Sequence, residues 1–158
     1  DLAASYDKQL GIEIHANTIT ETAESTARLL EAIDRDNVGA IHDAGNMHIV
    51  GADYGRAALE TLGDHLVHVH VKDERRVHDP SLPGTFERER ADGTDVFQHR
   101  LLGHGDVDQR GLFEALADAG YDGYLSNECH RATSDVWTDR TIAAHEREAM
   151  DHLLGRIE

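Results

Sequence analysis

Cysteine, lysine, proline and aromatic residues are nearly missing from this chain, and each scarcity narrows what it can be. The single cysteine, Cys129, excludes an internal disulfide and a thiolate metal cluster, and it fits a reducing compartment. With aromatics at 5%, the core has to be built from Ala, Val, Leu and Ile. No apolar run approaches the ~20 residues of a membrane span, and no charged-then-apolar signal segment opens the chain, so the expectation is a soluble, cytoplasmic protein with no membrane partner. Only Lys8 and Lys72 among the 15 basic residues are lysines, against 31 acidic residues, for a formal charge of −16. Such a polyanion is a poor partner for nucleic acid, whose binding relies on Lys and Arg neutralising phosphates. Many carboxylates with few ammonium groups instead predict a halophilic surface, kept soluble where the screening length falls to about 3 Å at 1 M salt.

What the chain does have is four strand-like segments separated by stretches long enough for helices. Its 158 residues predict a single domain over 1–158. The segments are Leu-Gly-Ile-Glu-Ile-His at 10–15, Val-Gly-Ala-Ile-His-Asp at 38–43, Leu-Val-His-Val-His-Val-Lys-Asp at 66–73 and Tyr-Asp-Gly-Tyr-Leu-Ser-Asn-Glu at 121–128. Alternation puts Ile12 and Ile14 on one face with Glu13 and His15 on the other, and sets Val67, Val69 and Val71 against His68, His70 and Lys72. The spacing predicts helices over 22–33, capped by Thr20 or Thr22, over about 54–62, over 108–120 from Asp108 to a stop at Gly120, and over 137–154. Strands alternating with helices imply an α/β fold of four parallel β-α units with right-handed crossovers, and ligands bind at the carboxyl ends of such strands.

The stretch 74–104 breaks this rhythm. It holds both prolines, Pro80 and Pro83, and many charges without clear periodicity. It reads as a long loop leaving the third strand on the ligand-binding side, either a lid or a surface insertion.

Glu13, Asp43, His70 and Glu128 fall at the carboxyl ends of the four strands. Three carboxylates and one imidazole make an oxygen-rich set suited to one divalent cation, Mn²⁺, Mg²⁺ or Co²⁺, with Zn²⁺ also accommodated. A cation chelating a carbonyl and an adjacent hydroxyl of a substrate would stabilise the enediolate formed when a carboxylate removes the neighbouring proton. Proton return to the opposite face inverts the centre, whereas return to the adjacent carbon moves the carbonyl along the chain. Composition offers a competing explanation, because 31 carboxylates place some at strand ends by chance. The other histidines, His42, His48, His65, His78, His99, His104, His130, His145 and His152, read as surface or loop groups.

Several linked motifs resemble the xylose isomerase-like TIM-barrel superfamily of sugar isomerases, epimerases and inosose-processing enzymes. Gly-Ile-Glu-Ile-His at 11–15 is similar to that family's fifth strand, Asn-Val-Gly-Ala-Ile-His-Asp-Ala-Gly-Asn at 37–46 to its sixth, and His-Val-His-Val-Lys-Asp at 68–73 to its seventh. Leu-Gly-His-Gly-Asp-Val-Asp at 102–108 looks like the turn before the seventh helix, and the segment 120–128 like the eighth strand. The resemblance implies the C-terminal half, strands 5–8, of a (β/α)8 TIM barrel. Its open edges would be closed by a missing N-terminal half-barrel or a second copy, and because the chain starts at Asp1 the favoured expectation is a fragment of a longer protein. The resemblance further implies that Glu13, Asp43, His70 and Glu128 ligate one metal, with Glu13 and Glu128 as the acid/base pair flanking the reacting carbon.

The expected activity is therefore a metal-dependent sugar isomerase or epimerase acting on a small sugar or sugar phosphate. The alternatives are an inosose dehydratase-like lyase and a non-catalytic metal-binding half-barrel. An endonuclease-IV type of phosphodiesterase is disfavoured by the missing extra ligands and by the charge. His15, Asn46, Lys72, Arg76 and Arg131 are candidate substrate-binding residues. Asn46 stands where the family often carries histidine, a change that keeps a hydrogen bond to substrate and removes a metal ligand.

Overall fold

The computed structural model describes residues 1–90, 93–128 and 138–155. Along the chain run α1 (Leu2–Ser5), β1 (Leu10–Glu13), α2 (Ala23–Ile33), β2 (Val38–Asp43), α3 (Ala44–Val50), α4 (Arg56–Leu62) and β3 (Leu66–Val71). They are followed by β4 (Asp73–Val77), β5 (Thr85–Arg90), β6 (Gly93–Arg100), α5 (Gln109–Asp118), β7 (Leu125–Asn127) and α6 (Asp139–Leu154). The four expected strands form one parallel sheet in the order β1-β2-β3-β7. The helices close the β-α units as the apolar spacing predicts. Thr22, rather than Thr20, caps α2, its hydroxyl accepting from Ser25 N while Ser25 Oγ accepts from Thr22 N, both at 3.2 Å. Thr20 instead donates to the Glu13 carbonyl at 3.0 Å, tying down the end of β1.

The valine alternation of β3 gives the sheet its covered face, where Val69 and Val71 pack with Leu59, Leu102, Leu112, Phe113 and Leu116 from α4, α5 and the loop before α5. A second cluster of Ile14, Leu30, Ala40, Met47 and Leu62 fills the side of β1 and β2. Aliphatic side chains dominate both clusters, as the scarcity of aromatics requires. His42 corrects the surface reading of its type, since it is fully buried on β2 with Nε2 at 2.9 Å from the Tyr54 carbonyl. Burial pushes its imidazole pKa down, against the pull of that carbonyl and of Asp43, and keeps the ring neutral.

The largest correction concerns 74–104. That stretch is not a structureless loop, because β4, β5 and β6 form a three-stranded antiparallel sheet in the order β4-β6-β5. Phe86 and Phe97 sit opposite each other in the β5-β6 register with ring centroids 6.0 Å apart. Phe97 packs against Ala16 and Ile49, which anchors this sheet over the carboxyl ends of β1 and β2. Asp73 fixes the return of the chain, accepting from the backbone N–H groups of Glu74, Gly103, Gly105 and Val107 at 2.9–3.2 Å. A side chain at Gly105 would collide with the Asp73 carboxylate, so only glycine lets this turn close. Trp137, read as the start of the last helix, lies outside the described residues, and α6 is capped by Thr138. Among the described residues no helix is long and apolar enough to cross a membrane.

Candidate metal centre

Sheet register brings the four strand-end groups together. Glu13 closes β1 and Asp43 closes β2, Asp43 stands opposite His70 of β3, His70 stands opposite Ser126 of β7, and Glu128 follows β7 directly. One ligand atom from each of Glu13, Asp43, His70 and Glu128 lies within 4.8 Å of the other three. His70 Nδ1 faces Glu13 Oε1 at 3.2 Å and Asp43 Oδ2 and Glu128 Oε2 at 3.7 Å each. Asp43 has a second task as N-cap of α3, where its Oδ1 accepts from Asn46 N at 2.8 Å. Its Oδ2 is enclosed without a hydrogen bond of good geometry among the described residues, although Lys72 Nζ is only 3.1 Å away.

The charges are mutually dependent. Asp43 does most to raise the His70 pKa, and Glu128 and Glu13 add to it against the opposing effect of burial. Burial favours neutral Lys72, but Asp43 and Glu128 outweigh it and hold the ammonium charged. Burial likewise pushes Asp43 up, and the His70, Lys72 and Asn46 contacts bring it below the ordinary carboxylate range. The donor set therefore fits a divalent cation. Three clustered carboxylates are balanced only in part by one ammonium and one imidazole, and one enclosed oxygen lacks a hydrogen bond.

Of the candidate substrate-binding residues, the structure brings Asn46 and Lys72 to this centre. Asn46 Nδ2 donates to Glu13 Oε1 at 3.2 Å and to the Ile14 carbonyl at 3.1 Å, and Lys72 Nζ donates to Glu128 Oε2 at 2.8 Å. Gly45 makes room for the lysine, since a Cβ there would stand 2.5 Å from Lys72 Cγ. His15 is exposed beside the centre with Nδ1 at 2.8 Å from the Ala16 carbonyl. Arg76 is not brought in, because its side chain is 62% exposed and pairs with Asp95 on the second sheet. Arg131 lies outside the described residues. His68 contacts Ser126 Oγ at 2.7 Å, and burial first, then neighbouring His70, pushes its pKa down.

A cleft of about 280 Å³ adjoins the centre, lined by His15, Asn46 and Lys72 below and by Glu74, Phe86, Arg88 and His99 of the second sheet. None of these four residues of the second sheet was legible as a site residue in the sequence. The signal available was the Asp92-Gly93 dipeptide between two alternating runs, a hairpin mark that would have turned the supposed loop into strands above the metal face.

The family described as xylose isomerase-like TIM barrel matches residues 1–153. An inosose dehydratase of Lactiplantibacillus plantarum is 31% identical over 141 residues, covering 85% of this chain and 44% of the relative. A solved L-ribulose 3-epimerase superposes with a TM-score of 0.73 at 23% identity, over 98% of this chain and 50% of that one. The IOLI protein, solved with a bound zinc atom, superposes with a TM-score of 0.76 at 19% identity, over 100% of this chain and 53% of that one. The chain thus spans about half the length of the relatives it matches, among which are enzymes of both the epimerase and the dehydratase kind. With its parallel β-α units and a family match running nearly from end to end, the chain belongs to the xylose isomerase-like TIM barrel family.

Proposed function

We propose that this chain carries the metal-binding and proton-transfer half of an enzyme that acts on polyhydroxylated ketones. Its four strands would correspond to strands 5–8 of the barrel. The observation that carries the reading is the convergence of Glu13, Asp43, His70 and Glu128 at adjacent strand ends. When bound, a divalent cation would polarise the substrate carbonyl and offset the charge that develops on the enediolate.

The residues divide the remaining work by burial and position. Asp43 is fully buried and committed to α3, so it can hold a cation but cannot reach a substrate carbon. Glu13 and Glu128 are partly open, Glu13 closing β1 and Glu128 directly following β7, the two outer strands of the sheet, which suits them to opposite sides of a bound ketone. Each has one oxygen held, Glu13 Oε1 by Asn46 and His70 and Glu128 Oε2 by Lys72, and the other carries no hydrogen bond to the described residues. One of them would remove the proton next to the carbonyl, and the other would deliver a proton to the opposite face or to the neighbouring carbon. Epimerisation or isomerisation follows from this pair.

A second outcome is favoured by the identity to an inosose dehydratase. After the same proton removal, the hydroxyl on the next carbon leaves as water once the second carboxyl group protonates it. Incubating the Mn²⁺-loaded chain, and a longer chain that includes the preceding half, with ketoses and an inosose in D2O separates these outcomes by NMR. Deuterium entry next to the carbonyl supports proton transfer, and the product then distinguishes epimer, aldose or dehydrated ketone. Absence of both exchange and product in the two metal-loaded proteins contradicts the proposal.

A further inference from the structure

Two charged groups on the second sheet, Glu74 fully buried and Arg88 largely enclosed, have hydrogen-bonding capacity unused. The Arg88 side chain is 12% exposed, its Nε and Nη1 have no hydrogen-bond partner among the described residues, and Nη2 reaches only Glu21 Oε2 there, at 3.4 Å. Other arginines of this sheet are spoken for, Arg76 and Arg90 by Asp95, Arg75 by Asp106, and Arg100 by Gln98. Glu74 is 1% exposed, with Oε1 accepting from His99 Nδ1 at 2.8 Å and Oε2 without a hydrogen-bond partner among the described residues. The His99 ring is held in turn by stacking on Phe86 at 4.6 Å between centroids. Enclosing an under-bonded guanidinium and an under-bonded carboxylate opposes folding unless something supplies the missing partners.

Both groups line the cleft that Asn46 and Lys72 share with the metal centre. A sugar hydroxyl both accepts and donates, so hydroxyl groups in this cleft complete Arg88 and Glu74 alike. A phosphate offers acceptors alone. It would serve Arg88 but would bring further negative charge beside Glu74 and Glu87, which line the same cleft.

We infer that Arg88 and Glu74 are specificity-determining residues that read hydroxyl groups of an uncharged polyhydroxylated ketone at the end remote from the metal centre. The inference rests on the metal-centred reading above and adds to it a recognition site supplied by the second sheet. It accounts for two buried charges that the proton-transfer chemistry does not use.

The test uses the Mn²⁺-loaded full chain with three probes: an inosose, 2-hydroxycyclohexanone, which keeps only the ketone and its adjacent hydroxyl, and fructose 6-phosphate. Binding is read from the water-proton relaxation of bound Mn²⁺, so no turnover is required. The wild-type chain is expected to prefer the inosose. Arg88→Gln and Glu74→Gln should each weaken inosose binding about ten- to hundredfold, the range for a hydrogen bond to a charged group, and leave 2-hydroxycyclohexanone and Mn²⁺ binding unchanged. The inference is overturned if the wild type shows no preference, if both ketones weaken equally or neither weakens, or if fructose 6-phosphate binds best and gains from Glu74→Gln. Failure of the wild-type chain to take up Mn²⁺ in the same titration overturns the proposed function, and this inference with it.

Discussion

Asp43→Asn separates the two tasks of one side chain. Asparagine caps a helix about as well as aspartate, so the bond from Asn46 N to Oδ1 and the start of α3 should survive. The change removes one of three carboxylates whose ligand atoms lie within 4.8 Å of one another. At an effective dielectric of about 20, charges no more than 4.8 Å apart repel by at least about 3.5 kcal/mol, so Glu13 and Glu128 together oppose Asp43 by about 7 kcal/mol or more. Lys72 Nζ at 3.1 Å returns about 5 kcal/mol by the same rule, and a protonated His70 at 3.7 Å returns about 4.5 kcal/mol more. Solvent around the partly exposed Glu13 and Glu128 lowers their share. These opposing contributions nearly cancel, so the metal-free stability of the variant should stay within about 3 kcal/mol of the wild type. Metal binding has no such cancellation. Loss of a ligand should cost at least the ~100-fold that can follow from losing a group that merely orients one. Calorimetric titration with Mn²⁺ and thermal melts in EDTA read the two effects separately. A variant that binds Mn²⁺ within threefold of the wild type would refute the assignment of Asp43.

Three further outcomes are expected. Mn²⁺ at about 100 times its dissociation constant should stabilise the wild-type chain by about 2.7 kcal/mol over the EDTA-treated chain, a shift visible in thermal melts and missing in Asp43→Asn. Asp73→Asn should destabilise the chain by about 3 kcal/mol, because four backbone N–H groups would meet an amide able to accept at only one oxygen; urea unfolding measures this, and a loss below 1 kcal/mol would show that the turn 103–107 is held by other means. Raising KCl from 0.1 to 2 M, roughly from a 10 Å to a 2 Å screening length, should raise the melting temperature of a chain of charge −16, and a fall would contradict the halophilic reading of its surface.

The parallel sheet was legible because its strands carry short runs of β-branched residues with an obvious period of two, as in Val67, Val69 and Val71. The ligand quartet was legible for the same reason, since parity and strand order together define which groups share an end of the sheet. Helix α3 was missed because it is only seven residues long and starts on the residue after a ligand, so its cap, Asp43, read solely as a metal ligand. Gly51, in the left-handed region at φ +73°, was the stop that could have marked it. The second sheet was hidden by composition. Its strand β5 alternates glutamate with arginine, β4 is largely charged, and the apolar anchoring depends on Phe86 and Phe97 rather than on a hydrophobic face. His42 escaped because it stands opposite Val69 in the β2-β3 register, on the covered face of the sheet, where a polar ring is not expected. Arg88 and Glu74 could not be found from sequence, for among 31 acidic and 15 basic residues nothing marks those left with unused hydrogen-bonding capacity in an enclosed place.

The claim on which the rest depends is that Glu13, Asp43, His70 and Glu128 hold one divalent cation. Anomalous diffraction at the manganese edge from crystals grown with Mn²⁺ tests it most directly. A single strong peak bonded to all four side chains is expected, with Lys72 displaced from Asp43 and Glu128. No peak, or a peak bonded to other residues while these four keep their present contacts, would contradict it.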